Sequence, residues 1–375
     1  MLSLLAAAES HRDWALAVIE DLVRLESPSI DKSALDRVGA EIARLFVELG
    51  ARAAALPQER SGDHLRIEIG RGDEQVLVIG HFDTVWPIGQ IETMPVRRED
   101  GRLYGPGSYD MKAGIAVTLL AARILIETNR LPAHRIAMIW TSDEEVGSDT
   151  SREILEAEAR RSRAVFVLEP ALAGGGVKTA RKGVADFRIE ATGISAHAGV
   201  EPDKGASAIH ELAWQAVQLL ALNDPSRGLT INVGCIGGGT RPNVVAAEAT
   251  MDVDVRIPTE ADAARVTAAI TALVPRDPRV RLRVSGGVNR PPMERTAGVA
   301  ALYERAARIS RQLGKELPEG ATGGGSDGNF TAALGIPTLD GLGPDGAGAH
   351  ALHEHVLIDS VPFRAALLAG LLRLD

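Results

Sequence analysis

Four short stretches of this chain put histidine and carboxylate side chains where a metal ion could use them. His81 and Asp83 close an apolar run with one residue between them, and residues two apart on a strand point to the same side. A neutral imidazole suits zinc, and a carboxylate that accepts its other ring N–H fixes the tautomer. A solvated polar pair at a strand end is the alternative. Asp110 lies in Gly105-Pro106-Gly107-Ser108-Tyr109-Asp110-Met111-Lys112-Ala113-Gly114, a glycine-rich loop feeding a helix. There it would either cap the helix or come near the end of the His81 strand. Asp143, Glu144 and Glu145 directly follow a second apolar run. Carboxylates this close repel and raise one another's pKa unless cations hold them, and two divalent metals would do so. Acids leading into a helix near Ser151 are the competing explanation. Glu169 follows a third apolar run.

Those three runs, residues 76–80, 136–140 and 164–168, alternate with helical patterns such as 114–128. The alternation predicts a parallel α/β sheet, in which functional groups collect at the carboxyl ends of the strands. Between residues 184 and 285 the order changes to strand 184–192, helix 206–222, strands 229–236 and 244–257, helix 262–273 and strand 280–284. This is the order of a split βαβ, ferredoxin-like unit. After Pro291 helical and short strand signals return, with glycine clusters at 323–325 and 341–348. The expected organisation is a catalytic domain in two parts, 1–181 and 289–375, with a smaller α+β domain inserted at 182–288.

At 375 residues, 45% of them apolar, the chain can bury a substantial core and is long enough for two domains. Its 41 basic and 50 acidic residues give a net charge of −9 without a long basic run, so nucleic-acid partners are excluded. Residues 1–8 are apolar but lack a basic leader and run into Glu9, Arg12 and Asp13, which predicts a cytoplasmic protein. The most apolar helical stretch, 113–126, contains Arg123 and is too short to cross a bilayer, so no membrane partner is expected. The single cysteine, Cys235, excludes an internal disulfide and cysteine-rich zinc sites, and is expected in the core.

Taken in order, the motifs resemble the M20 family of zinc peptidases, most of all its glutamate carboxypeptidases of the carboxypeptidase G2 type. They are His81-Phe82-Asp83-Thr84-Val85, Gly105-Pro106-Gly107 with Asp110-Met111-Lys112, Glu144-Glu145-Val146-Gly147-Ser148, Glu169-Pro170 and Gly348-Ala349-His350. The likeness runs from about Leu22 to the C-terminus, and the ordered set is far more specific than any one piece. It implies a zinc-peptidase-like catalytic domain with a mixed, largely parallel sheet, plus an inserted ferredoxin-like lid and dimerisation domain. Two Zn2+ per subunit are implied, with Co2+ or Mn2+ as substitutes. Asp110 would bridge the metals, His81 and Glu169 would hold one, and Glu145 and His350 the other. His353 and His355 lie nearby, but family spacing, with Glu354 four residues after the ligand, selects His350. Asp83 becomes the partner of His81, and Glu144 the general base.

In the inserted domain, Ser195-Ala196-His197-Ala198-Gly199 resembles the family segment whose histidine stabilises the oxyanion, often in the site of the neighbouring subunit of a homodimer. Asn243 and Arg256 match substrate contacts of the family. The Arg256 fork can grip a carboxylate, and its alternative partners are Asp252 and Asp254. Gly324, Gly325 and Ser326 lie where the family meets the substrate carboxylate, in a loop whose N–H groups can form an anion nest. Asp327 would oppose that carboxylate unless it turns away. The implied activity is dinuclear zinc hydrolysis of an amide beside a free carboxylate, in a short peptide or N-acyl amino acid, with glutamate as a candidate product. Deacylases such as acetylornithine deacetylase, succinyl-diaminopimelate desuccinylase and aminoacylase share the ligands and base. A silent binding protein on the same scaffold would lack a ligand or the base, and none of the matched residues is missing.

Overall fold

The computed structural model describes residues 1–374; Asp375, the end of the expected segment 289–375, lies outside them. The chain divides into two compact units. The first comprises Met1–Ala180, Arg295–Thr322 and the residues from Ser326 onward, and the second Arg181–Glu294 with Gly323–Gly325.

The first unit is built on a six-stranded sheet in the order Arg52–Leu56, His64–Ile69, Arg135–Thr141, Gln75–His81, Ser162–Val167, Thr338–Leu339. The first two pairings are antiparallel and the remaining three parallel. Gln75–His81 is buried along its whole length, as a central parallel strand covered on both faces must be. Its side chains alternate accordingly. Val76 and Val78 join Met138, Trp140 and Phe166 beneath the helices Ala113–Glu127 and Ser360–Leu372. Leu77 and Ile79 join Ala137, Ile139 and Val165 on the opposite face, with Leu155 and Phe330. Each such aliphatic side chain contributes about 1.5–3 kcal/mol when fully buried.

Parallel register pairs His81 with Thr141 and Ile79 with Val167, so the ends of the three strands line up at one edge of the sheet. That alignment brings His81, the acids after Thr141 and Glu169 to one place. A second, smaller sheet has strands too short for any periodicity: Gly346–Ala347, His355–Leu357, Arg102–Tyr104 and Arg97–Glu99. Within it, Tyr104 pairs with His355 and Ala347 pairs with His355 from the other side. The segment leading into Asp110 is thereby stitched to the hairpin that carries His350.

The second unit has a four-stranded antiparallel sheet in the order Thr230–Gly238, Glu248–Ile257, Gly183–Thr192, Arg281–Arg290. The helices Ala208–Leu220 and Glu260–Thr271 bury Leu212, Leu219, Val266 and Ile270 with Phe187, Ile189, Met251 and Val253. Two expectations need correction. Residues 244–247 do not extend the strand that begins at Glu248, because the Val245 N–H donates to the Ala196 carbonyl and Val244 pairs with His197. Cys235 is exposed and not a core residue. It sits on an edge strand whose register shifts between Val233 and Cys235, where the inward alternation is lost. Among the described residues no helix is long and apolar enough to cross a membrane.

Candidate metal centre

His81 is held from behind by Asp83. Its Nδ1 lies 3.0 Å from the Asp83 carbonyl oxygen and 3.3 Å from Asp83 Oδ1. The Asp83 carboxylate also accepts the Ser29 hydroxyl at 2.7 Å and the backbone N–H groups of Glu144 at 3.2 Å and Glu145 at 3.1 Å. One buried carboxylate therefore fixes both the imidazole and the turn of acids. With the ring proton on Nδ1, Nε2 presents a lone pair. It faces Asp110 Oδ1 and Glu169 Oε1, each 3.3 Å away.

On the other side of Asp110, His350 Nε2 lies 3.5 Å from Oδ2 and 3.1 Å from Glu145 Oε1. His350 adopts a left-handed backbone with φ of 61°, a conformation seldom taken by residues other than glycine. The site thus contains two groups, His81 with Asp110 and Glu169, and Asp110 with Glu145 and His350. Within each, one ligand atom per residue lies within 4.8 Å of the others, and Asp110 belongs to both.

The competing explanations for these acids do not hold. The helix Ala113–Glu127 has Lys112 at its N-cap and no side-chain cap, so Asp110 is not capping it. Glu144 and Glu145 sit in a separate 3₁₀ turn, Glu144–Val146, ahead of the helix Arg152–Arg160.

Burial opposes a charge on His81, but Asp110, Asp83 and Glu169 outweigh it and hold its pKa well above the usual value. Asp110 and Glu145 push His350 up to about 10. Burial raises the Glu145 carboxyl, partly offset by His350, whereas the two histidines overcome burial at Asp110 and hold it below the carboxylate range. Asp110 Oδ1 is nevertheless buried without a hydrogen bond. A buried carboxylate oxygen without a hydrogen bond, 3.3 Å from an imidazole nitrogen, is what a cation would satisfy. The set offers nitrogen and oxygen ligands without thiolate, which fits zinc and also admits other divalent ions.

Glu354 is a residue whose placement the motifs did not reveal beyond its spacing from His350. It is fully buried, and burial pushes its carboxyl up to about 7. Its oxygens accept the N–H groups of Gly107 and Tyr109 at 2.9 Å, Asp110 at 3.0 Å and the Trp86 indole at 2.9 Å. Gly107 has φ of 70°, and a Cβ there would meet the Thr84 side chain at 2.5 Å, so the loop requires glycine. Ser29 was likewise unmarked by any motif.

Ser326 is buried, with its hydroxyl donated to Asp340 and its N–H to Asn329. Asp327 does turn inward, accepting the hydroxyls of Thr141 at 3.1 Å and Ser148 at 2.5 Å. In the second unit, the carbonyls of Gly324 and Gly325 accept from Arg181. His197 is exposed, and its Nδ1 accepts the N–H groups of Gly199 and Val200 at 3.1 Å. Asn243 lies beside it, its carbonyl accepting the Ala198 N–H. Arg256 is engaged by Asp254 through Nε at 3.0 Å and Nη2 at 2.8 Å, while Asp252 pairs with Arg188.

With this geometry in view, the likeness to known proteins becomes specific. The family model for peptidase family M20/M25/M40 matches residues 77–374, and the chain belongs to that family. It is a hydrolase of the M20 metallopeptidase type. Carboxypeptidase G2 of Pseudomonas sp. is 30% identical over 98% of this chain and 91% of its own. A succinyl-diaminopimelate desuccinylase of Delftia acidovorans is 29% identical over 77% of this chain and 78% of its own. Among solved structures, the aminopeptidase PepT from Bacillus cereus superposes with a TM-score of 0.79 at 23% identity, covering 96% of this chain and 98% of that one. The M20 family metallo-carboxypeptidase from Sulfolobus solfataricus gives 0.73 at 16% identity, covering 96% and 98%. At those identities the two structures speak for the fold.

Proposed function

We propose that the chain is a dinuclear metallocarboxypeptidase that hydrolyses an amide beside a free carboxylate in a short peptide or N-acyl amino acid and releases an amino acid such as glutamate. The observation that carries this reading is the pair of ligand groups sharing Asp110. His81 and Glu169 would hold one Zn2+, Glu145 and His350 the second, and Asp110 both, with Co2+ or Mn2+ as substitutes. Bound there, the ions would polarise the scissile carbonyl and ease deprotonation of the attacking water.

The remaining steps belong to side chains. Glu144, outside both ligand groups, takes the proton from the attacking water and returns it to the leaving nitrogen. Asp83 keeps the His81 proton on Nδ1 and leaves Nε2 for the metal. At His197, two N–H donors on Nδ1 put the ring proton on Nε2, the form that donates to a developing oxyanion. Arg256 and Asn243 contact the substrate, Arg256 through the edge of its fork not taken by Asp254. Gly324 and Gly325 offer backbone to the substrate carboxylate, and Ser326 shapes that loop from within.

Deacylation of N-succinyl or N-acetyl amino acids is the second reading, favoured by the desuccinylase relative. A panel of acyl-glutamates, dipeptides, folate-like amides and N-succinyl amino acids, offered to the zinc-loaded enzyme, separates the two. Turnover of C-terminal glutamyl amides above all others is expected, and turnover confined to N-succinyl substrates would replace the first reading with the second.

We further assign the homodimer contact to the second unit, where Ile209, Trp214, Val217, Leu220 and Ile236 are exposed on the helix Ala208–Leu220 and the edge strand Thr230–Gly238. An open strand edge beside an apolar helix face invites a second copy. Sedimentation at micromolar concentration should show a dimer.

A further inference from the structure

Glu354 is buried completely, yet its carboxylate lies among the metal-ligand candidates without belonging to either group. A buried carboxylate is costly unless hydrogen bonds compensate it, so its four donors define what it is for. Three are consecutive or near-consecutive backbone N–H groups of the loop that carries Asp110: Gly107, Tyr109 and Asp110 itself. The fourth is the indole of Trp86, three residues beyond Asp83. The Glu354 backbone takes part too, its carbonyl accepting the Gly105 N–H at 3.4 Å and its N–H donating to Ala351, next to His350. Gly348 lies so close beneath that a Cβ there would meet the Glu354 backbone at 2.9 Å. Every segment that supplies a ligand to the second group, apart from the Glu145 turn, is therefore tied to this one residue.

We propose that Glu354 is a positioning residue for the metals: it sets the separation of the Asp110 carboxylate from His350, and so the geometry in which Asp110 is shared by two ions. The inference rests on the dinuclear reading. The Asp110 carboxylate meets only the two imidazoles at 3.3 and 3.5 Å, Oδ1 making no hydrogen bond of normal geometry, whereas its backbone N–H is held by Glu354 at 3.0 Å. Without these three backbone contacts the loop from Gly105 to Asp110 keeps the Tyr109 hydroxyl on the Ala171 carbonyl at 2.8 Å and its attachments to the small sheet and to the helix that follows, but loses the hold on the Asp110 N–H. A shift of a few tenths of an ångström there moves the shared ligand relative to both imidazoles.

The test compares wild type with Glu354→Gln and Glu354→Asp, reading zinc affinity and stoichiometry by competition with a chromophoric chelator, alongside far-UV circular dichroism of the metal-free chains. In Glu354→Gln one acceptor oxygen becomes an amide NH2, a donor facing N–H donors, and Glu354→Asp keeps the charge but shortens the reach. Both should fold, and both should bind zinc ~10–100-fold more weakly, the range for loss of a group that orients ligands. The second equivalent should be lost first, and kcat should recover toward wild type as free zinc is raised, with KM little changed. Trp86→Phe, which removes only the indole donor, should weaken zinc by much less. Wild-type zinc affinity in a folded Glu354→Gln or Glu354→Asp chain would overturn the inference. A wild-type chain that binds fewer than two zinc ions would instead overturn the dinuclear reading. If Glu354→Gln fails to fold, Glu354→Asp and Trp86→Phe carry the comparison.

Discussion

The His81 half of the candidate metal centre in the first unit and the substrate-contact candidates of the second are held in opposite ways. His81 is 1% exposed and Asp83 0%, and each is fixed by partners drawn from several segments. His197 and Asn243 are exposed and rest on local backbone contacts, while Arg256 leans on an aspartate two residues away on its own strand. A metal site must exist before substrate arrives, and its His81 half is pre-positioned by a buried network, while His350, itself exposed, is placed by the small sheet against Asp110 and Glu145. Residues that greet a substrate can stay solvated until it binds. The difference teaches that changes at the first unit's ligands and their supports should register in metal binding, and changes in the second in turnover or substrate binding with metal content unchanged.

The sharpest way to break that contrast is at Asp110. Asp110→Ala should abolish turnover and lower occupancy at both metal positions, whereas Glu169→Ala should weaken chiefly one. Metal titration checks this, and equal partial losses in the two variants would count against a shared ligand. Next in size, Glu144→Gln should keep both metals and lose ~10²–10⁴ in kcat, since an amide cannot accept the proton. An active Glu144→Gln enzyme would remove the proposed base. His197→Ala should leave metal content unchanged and lower kcat by ~10²–10³ with little effect on KM, as expected for a donor that acts on the developing oxyanion. Any loss of metal from that variant would erase the distinction between the units. The smallest effect is expected at Ser29, where Ser29→Ala removes one of the hydrogen bonds on Asp83. A net value of about 1 kcal/mol corresponds to roughly five-fold, read as weaker zinc binding by chelator competition.

Much of the catalytic frame could be read from the chain because the relevant strands are long, apolar and followed at once by polar residues. His81, the 143–145 acids and Glu169 announce themselves in that way, and the parallel sheet follows from the alternation of strand and helix. The position of His350 needed the family pattern, since the small sheet that brings it to Asp110 has strands of two or three residues, below the length at which alternation carries a signal. The contacts of Glu354, marked in the sequence only by its spacing from His350, and the place of Ser29 were hidden for a different reason: what a buried acceptor holds is defined by distant N–H groups, which leave no trace in local spacing. In the second unit the Val244-Val245 pair has the composition of a strand yet is spent on holding the His197 loop. Cys235 has the usual chemistry of a core residue, but an edge strand with a shifted register turns it outward. Both errors arise where tertiary pairing overrides local preference.

Where the chain enters and leaves the second unit, Arg181 and Met293 exchange two backbone hydrogen bonds of 2.9 and 3.0 Å. The two crossings therefore run side by side, and the residues between them begin and end at nearly one point. All five candidate ligands lie outside that interval, in the first unit. A neck of this kind lets evolution lengthen, shorten or replace the intervening module as a cassette without moving a ligand, because the loop left behind spans almost no distance. Descendants of one ancestral metal centre could in this way acquire different appetites, the inherited chemistry staying fixed while the exchangeable part learns a new substrate.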